Sequence, residues 1–337
     1  MSNPLLEMQS ITKDFPGVRA LDDVSFDVRH GGMHALCGEN GAGKSTLIKI
    51  LGGVYPHGAY TGPLRIDGHV HRFDSVRDAE HAGIAIIYQE LALIPEMTVG
   101  ENIYLGREPT RFGMIDRNRL YHNAGRLLAD FSLSLQPQTP VGQLGIGQQQ
   151  MVEIAKALSR EARLLVLDEP TAALTESEVE TLMRILRQLR EKGVSCIYIT
   201  HKLKEIFAIA DRVTVLRDGK TVGTFPIEQC DEGELISRMV GRELTDFFPK
   251  REGKIGGVAL RVQDLNAYHP QRPDQQVLKG ITFEVRQGEI LGIAGLMGAG
   301  RTELINAIFG AYPGRCTGEI FVPPPKTPPQ MGGGGGG

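Results

Sequence analysis

Short apolar runs alternate with stretches of helical periodicity along most of the chain. Met33–Cys37, Ile84–Tyr88, Leu164–Leu167 and Cys196–Ile199 are apolar runs of four or five residues, broken at most by one polar side chain. Runs of this kind suit strands buried on both faces of a parallel sheet. Ser45–Leu51, Gln148–Leu158 and Glu176–Glu191 instead repeat apolar residues at helical spacing, as Met151, Ile154, Ala155 and Leu158 do. Strand and helix in alternation predict an α/β fold around a parallel or mixed sheet. Ligands on such sheets lie outside the carboxyl ends of the strands.

The chain also repeats itself. Residues 20–56 read ALDDVSFDVRHGGMHALCGENGAGKSTLIKILGGVYP and residues 277–313 read VLKGITFEVRQGEILGIAGLMGAGRTELINAIFGAYP, with 14 of 37 positions identical at a constant offset of 257. That period is far longer than a solenoid repeat and predicts two related domains in tandem. The first is expected to span 1–245, a charged, glycine-containing linker 246–258, and a second copy 259–322. Residues 323–337, PPPKTPPQMGGGGGG, have the composition of a tail that builds no packed core. Because the second copy stops early, the expectation is a truncation, a frameshift or an engineered scar rather than a native end. An exposed sheet edge on that copy predicts poor solubility and proteolysis.

Composition narrows the class. The 337 residues are 41% hydrophobic and 23% charged, with net charge −3. These values exclude a disordered, collagenous or coiled-coil chain, and they give no electrostatic reason to bind nucleic acid. The cysteines, Cys37, Cys196, Cys230 and Cys316, show neither C-x-x-C nor zinc spacing. They read as buried small hydrophobes in a reducing compartment. The N-terminus lacks the basic and apolar regions of a secretory signal. No apolar run reaches the roughly 18 residues needed to cross a bilayer, so a membrane role would come through a partner.

The sharpest chemical signal is Gly38-Glu39-Asn40-Gly41-Ala42-Gly43-Lys44-Ser45, followed by Thr46. It fits G-x-x-x-x-G-K-[ST] between an apolar run and a helix. Glycines there let backbone amides turn toward phosphate oxygens, and the helix N-terminus favours the negative charge. Lys44 is placed to reach β- and γ-phosphates and Ser45 to ligate Mg²⁺. Leu164–Leu167 leads into Asp168-Glu169, which reads as a metal-holding carboxylate followed by a carboxylate that polarises water. The alternative is an acidic helix-capping pair. His201 follows the run ending Ile199-Thr200, and Gln89 follows Ile84–Tyr88. Both stand at strand ends, where a γ-phosphate, Mg²⁺ and the attacking water would lie. Taken alone, such a histidine is more often structural.

The order of these parts, with Leu144-Gly145-Ile146-Gly147-Gln148 between Gln89 and Asp168, resembles the ATP-binding cassette family over residues 5–322. The resemblance implies Walker A at Gly38–Ser45, the Q-loop at Gln89 and the signature at Leu144–Gln148. It implies Walker B at Leu165–Asp168, the catalytic glutamate at Glu169 and the switch histidine at His201. Phe15 then falls where the family stacks a ring on adenine, against the alternative of a buried Phe. Two departures stand out. Gly145 replaces the serine of the usual LSGGQ. The second P-loop, with Gly295, Gly298, Gly300, Arg301 and Thr302, carries Arg301 in place of lysine, and a planar guanidinium is not an equivalent cation. Cassettes of this family pair head to tail, each nucleotide lying between one P-loop and the other domain's signature. The two departures therefore share one degenerate site, and the intact parts share a hydrolytic one. That site needs a second cassette, in cis or in trans.

The tandem arrangement with G-A-G-R-T in the second copy resembles the ATPase subunits of bacterial monosaccharide importers. Residues 144–158 and the linker-like Ala267-Tyr268-His269-Pro270 are most similar to members serving D-xylose, with ribose, galactose and arabinose as close alternatives. The resemblance implies ATP and Mg²⁺ as ligands and membrane permease subunits as partners near Gln89 and Leu91–Leu105. It further implies a periplasmic sugar-binding protein acting indirectly, and a peripheral place on the cytoplasmic face of the inner membrane. Ribosome-associated tandem cassettes are the rival class, but they carry a long basic inter-domain helix. Residues 242–260 mix both charge signs with glycine and proline. Cassettes of DNA repair carry insertions that this chain lacks, and a P-loop GTPase would need N-K-x-D, where no Asn here precedes Lys.

Overall fold

A computed structural model describes residues 4–160, 162–241, 255–295 and 298–323. The chain divides into two compact units, Met1–Thr245 and Asp246–Gly337. Most of the expected linker and the Pro/Gly tail beyond Pro323 lie outside the described residues.

The first unit opens with the hairpin β1 (Leu6–Phe15) and β2 (Val18–Val28), then β3 (Met33–Cys37) and α1 (Lys44–Leu51). β4 (Leu64–Ile66), β5 (His69–His71), α2 (Val76–His81) and β6 (Ile84–Ile87) follow. A helical segment comes next: α3 (Val99–Ile103), a small hairpin β7 (Thr110–Arg111) and β8 (Met114–Ile115), α4 (Arg117–Asp130) and α5 (Ile146–Leu158). The unit closes with β9 (Leu164–Asp168), α6 (Glu176–Glu191), β10 (Ser195–Ile199), α7 (Leu203–Ile209), β11 (Arg212–Arg217), β12 (Lys220–Pro226) and α8 (Glu232–Val240).

Two sheets result. One is antiparallel, in the order β2-β1-β4-β5; the other runs β12-β11-β3-β10-β9-β6. In the larger sheet β11, β3, β10, β9 and β6 are parallel and β12 pairs antiparallel at the edge. Its central strands are buried on both faces, which is why they read as unbroken apolar runs. On β9, Leu164 and Val166 join the core shared with α1 and the antiparallel sheet. Leu165 and Leu167 join the opposite core beneath α3 to α6. Burying such a side chain contributes about 1.5–3 kcal/mol, so alternation along one strand bonds three layers. Capping fixes where the covering helices start. Thr98 with Glu101 closes a capping box on α3, and Thr175 with Glu178 closes one on α6.

The second unit holds β13 (Val258–His269), β14 (Arg272–Arg286), α9 (Arg301–Ile308) and β15 (Cys316–Phe321), with the sheet order β14-β13-β15. Its core is small: Val262, Leu265, Ala267, Leu278, Leu304 and Ala307. One pairing is added and two expectations change here. The chain re-enters the sheet after α9, because β15 pairs with β13 as β4 pairs with β1. Ala267-Tyr268-His269 is the end of a strand rather than linker. Only Cys37 and Cys196 are buried; Cys230 is half-exposed and Cys316, at the start of the edge strand β15, is exposed.

Candidate functional site

The site grows from the end of β3. Residue 38 must be glycine: with φ 157° its missing Cβ would lie 2.3 Å from the Leu216 carbonyl oxygen. Gly43 closes the loop in the left-handed region, φ 100°, as the N-cap of α1. Between them Ala42 is buried and anchors the loop. The Lys44 ammonium folds back and donates to the carbonyls of Gly38 and Glu39, both at 2.9 Å. Burial lowers its pKa, while Glu169 and Asp168 pull the other way. The lysine is thus held on the loop carbonyls.

Asp168 is the last residue of β9. Burial first, and then the neighbouring Glu169, raise its pKa, with Lys44 opposing. Glu169 leaves the strand with a left-handed φ of 46°, a conformation that costs a non-glycine residue roughly 1–3 kcal/mol. Its amide donates to the Ile199 carbonyl at 2.9 Å, which pins that conformation to β10. The carboxylate then meets two partners: His201 Nδ1 at 3.2 Å and Gln89 Nε2 at 3.4 Å. Gln89 stands two residues beyond β6, which ends one residue earlier than expected.

One cleft is lined by Ala20, Asn40, Gly41, Gly43, Lys44, Ser45, Thr46, Gln89, Asp168 and Glu169. The structure therefore brings together the P-loop, the strand-end carboxylates and Gln89, with His201 on the outer side of Glu169. Other predicted positions lie elsewhere. Phe15 packs edge-on against Tyr55, centroids 5.6 Å apart, with the Lys13 ammonium 4.9 Å from its ring; it does not line the cleft. Leu144–Gln148 open α5 outside the cleft, with Gly145 as an exposed N-cap and the helix starting at Ile146, earlier than expected. A Cβ on Gly147 would meet the Glu178 carboxylate at 2.3 Å, so this glycine packs on the cap of α6. In the second unit Gly298 and Gly300 repeat the left-handed φ of Gly41 and Gly43, 83° each against 86° and 100°. A Cβ on Gly295 would meet Ala299, and Arg301 and Thr302 begin α9 exposed.

One group escaped the sequence reading. Glu205, on α7, is buried and accepts from Thr171 Oγ1 at 2.8 Å, Tyr198 Oη at 2.7 Å and Thr200 Oγ1 at 3.3 Å. Lys202 Nζ lies 3.4 Å from it and donates to the Thr171 carbonyl at 3.1 Å. This network ties the loop after Glu169 to the loop bearing His201. The available signal was Glu205 one turn after His201, on the same face as the buried Ile206 and Ile209.

Residues 21–172 match the family model described as ABC transporter. The first unit has the fold of an ATP-binding cassette. It is 55% identical to the xylose import ATP-binding protein XylG of Moorella thermoacetica over 322 residues, 96% of this chain and 64% of that protein. It is 51% identical to the L-arabinose transport ATP-binding protein AraG of Geobacillus stearothermophilus, over 95% of this chain and 63% of the relative. The chain thus spans somewhat less than two thirds of the length of these relatives. Among solved structures, the ADP conformation of an ABC transporter cassette superposes with TM-score 0.60 at 25% identity, covering 72% of this chain and 100% of that one. A dimeric cassette bound to ADP and phosphate superposes with TM-score 0.57 at 25% identity, covering 66% of this chain and 98% of its own. Among the described residues no helix of the cassette is long and apolar enough to cross a membrane.

Proposed function

We propose that this chain is the ATP-binding and ATP-hydrolysing subunit of a bacterial monosaccharide importer, with D-xylose as the preferred cargo. The observation that carries the reading is the convergence of Lys44, Ser45, Gln89, Asp168 and Glu169 on one cleft, with His201 against Glu169. Loop amides and Lys44 bind the β- and γ-phosphates. Ser45, Gln89 and Asp168 offer a hydroxyl, an amide and a carboxylate, the hard oxygen donors that Mg²⁺ takes. Mg²⁺, when bound, neutralises phosphate charge. Burial raises the pKa of Asp168, so this carboxylate lacks a full counter-charge until a cation arrives. Glu169 orients and polarises the attacking water, and His201 holds the Glu169 carboxylate.

The signature 144–148, exposed at Gly145, Ile146 and Gln148, serves a facing cassette, supplied in cis or in trans. Closure of the pair on ATP and its release after hydrolysis drive the permease. A groove beside Gln89, with Tyr88, Glu90 and Ala92 on one wall and Glu153, Lys156 and Arg160 on the other, supports docking of a permease helix there. Such a subunit works as a peripheral protein at the cytoplasmic face of the inner membrane, and a periplasmic sugar-binding protein acts on the permease rather than on this chain.

The test has two parts. ATP binding and steady-state hydrolysis are measured for the chain and for Glu169→Gln. Binding kept, with turnover lost in the variant, is expected, and absence of ATP binding refutes the reading. Uptake of labelled xylose and arabinose is then compared in cells dependent on this chain, because the relatives carry both sugar names. Preferential arabinose uptake overturns the xylose assignment.

A further inference from the structure

The hairpin between α3 and α4 has a geometry that packing within the chain does not call for. β7 and β8 pair Thr110 with Ile115 and Arg111 with Met114. The turn is therefore two residues, Phe112-Gly113, with φ 53° and 78°. Positive φ at both central positions is the type I′ pattern, whose usual occupants are Asn-Gly and Asp-Gly. A bulky aromatic is strained there. Yet Phe112 is 90% exposed, Met114 72% and Ile115 55%. Three large apolar side chains stand in solvent at the tip of a short hairpin, one of them in a backbone conformation that disfavours it. Its ring meets the Arg111 guanidinium, 5.4 Å from the centroid.

The collar of this tip is basic. Arg111, Arg117 and Arg119 are exposed, and the contact of Arg117 with Glu101 is loose at 3.7 Å. The nearby acids already serve backbone amides: Glu108 accepts from Gly106 and Asp116 from Arg119, each at 3.0 Å. Apolar side chains inside an arginine collar match the water–lipid boundary. There the apolar groups enter among the headgroups and guanidiniums meet lipid phosphates. A tip this small falls well short of the roughly 800 Å² that each partner contributes to a stable protein interface, but a bilayer accepts single side chains.

We propose that the 110–115 hairpin anchors this chain on an anionic bilayer surface, with Phe112 and Met114 seated at headgroup depth. The anchor is reversible, since one small apolar insertion with a few basic residues gives marginal partitioning. It would hold the subunit beside its permease between contacts. This bears on the importer reading, but the binding itself requires neither ATP nor a permease.

The full chain is floated with vesicles of phosphatidylglycerol and phosphatidylethanolamine, and with vesicles of phosphatidylcholine alone. Native chain is expected to float with the first and not the second, less so at high salt. Phe112→Asn suits the turn, so it should keep or raise the thermal midpoint while lowering partitioning about tenfold. Arg111→Gln combined with Arg119→Gln should flatten the salt dependence. The sequence contains no Trp, so Phe112→Trp is a unique reporter whose emission should shift to the blue on anionic vesicles. Failure of the native chain to bind, an unshifted reporter, or full binding by Phe112→Asn overturns the proposal. So does binding confined to vesicles that carry membrane proteins, which would assign the tip to a protein partner. ATP binding is measured in the same samples; its loss would refute the proposed function and leave the vesicle result standing.

Discussion

The two copies of one sequence pattern fold to different depths. Met33–Cys37 is a strand buried along its whole length, paired on one edge with β10 and on the other with β11. Its counterpart at the 257-residue offset, 290–294, forms no strand; Ile290 is 88% exposed, and Leu291 and Ile293 are about 40% exposed. The following helices match residue for residue, α1 with α9. Yet Ile48 is fully buried where Ile305 is half-exposed. The hydrophobic pattern is nearly the same in both copies. What differs is the set of later strands: a parallel strand needs neighbours delivered by crossover connections, and β10 and β11 exist for the first copy alone among the described residues. An apolar run specifies a buried strand only where the rest of the chain brings something to bury it.

The sharpest way to break the comparison is a charge at the same register in both copies. Leu36→Asp puts an unpaired carboxylate at the centre of the six-stranded sheet and should cost more than about 4 kcal/mol, enough to unfold the first unit. Ile293→Asp, its counterpart, should stay within about 0.5 kcal/mol and raise solubility. Urea unfolding of each variant decides. Equal losses would mean that 290–294 is packed after all.

Nucleotide binding gives the next contrast. Lys44 is held on the loop carbonyls in a cleft with Asp168 and Glu169, whereas Arg301 stands exposed at the start of α9. Lys44→Ala should weaken ATP binding about a hundredfold, from the loss of charge-assisted bonds worth about 3 kcal/mol. Arg301→Ala should leave both affinity and stoichiometry unchanged, with one nucleotide per chain by calorimetry. A second bound nucleotide that disappears with Arg301→Ala would restore the second P-loop as a site.

Acid stability should separate the copies by about 2 kcal/mol. His34 on β3 is buried, bonded to Thr214 at 2.8 Å and packed on Phe26, and burial lowers its pKa to about 3. The unfolded chain takes up this proton near pH 6.5 and the folded chain does not. Stability is therefore full above about pH 6.5 and falls by about 1.4 kcal/mol per unit as pH drops toward 3, roughly 2 kcal/mol by pH 5. At the corresponding position the second copy has Leu291, which does not titrate. His34→Leu should flatten that part of the profile; an unchanged slope between pH 6.5 and 5 would assign the acid sensitivity to other groups.

The sequence made the central strands and the covering helices legible because their side chains are buried by immediate and regular neighbours. The strand-end positions of the Gly38–Ser45 loop, Gln89, Asp168, Glu169 and His201 were readable because the runs before them are themselves legible. What escaped was set by distant pairing. The left-handed conformation of Glu169 depends on the carbonyl of Ile199, and the burial of Glu205 on Thr171 and Tyr198. The 290–294 segment escaped for the same reason, since its pattern is that of a strand and no strand pairs with it among the described residues. Phe112 escaped for the opposite reason: it is 90% exposed and packs into no core, and a phenylalanine before a glycine reads as ordinary core.

The smallest expected difference lies in the glycine that opens each helix. A Cβ at Gly43 would stand 2.6 Å from Leu21 Cδ2 and 2.8 Å from the Ala20 carbonyl oxygen, which is backbone and cannot swing aside. At Gly300 the same contacts open to 3.0 Å from Leu278 Cδ2 and 3.5 Å from the Val277 carbonyl oxygen. Both glycines have positive φ, so alanine meets a conformational cost of about 1 kcal/mol at either position. The clash adds to that cost in the first copy alone, for a total of about 2–3 kcal/mol. The loop of the first copy starts on β3, which pairs with β11, whereas no strand pairs with 290–294 among the described residues. Thermal unfolding of Gly43→Ala and Gly300→Ala reads the gap. A gap near zero would show that the hairpin beneath each loop sets the fit, and that the missing strands do not reach as far as the phosphate loop.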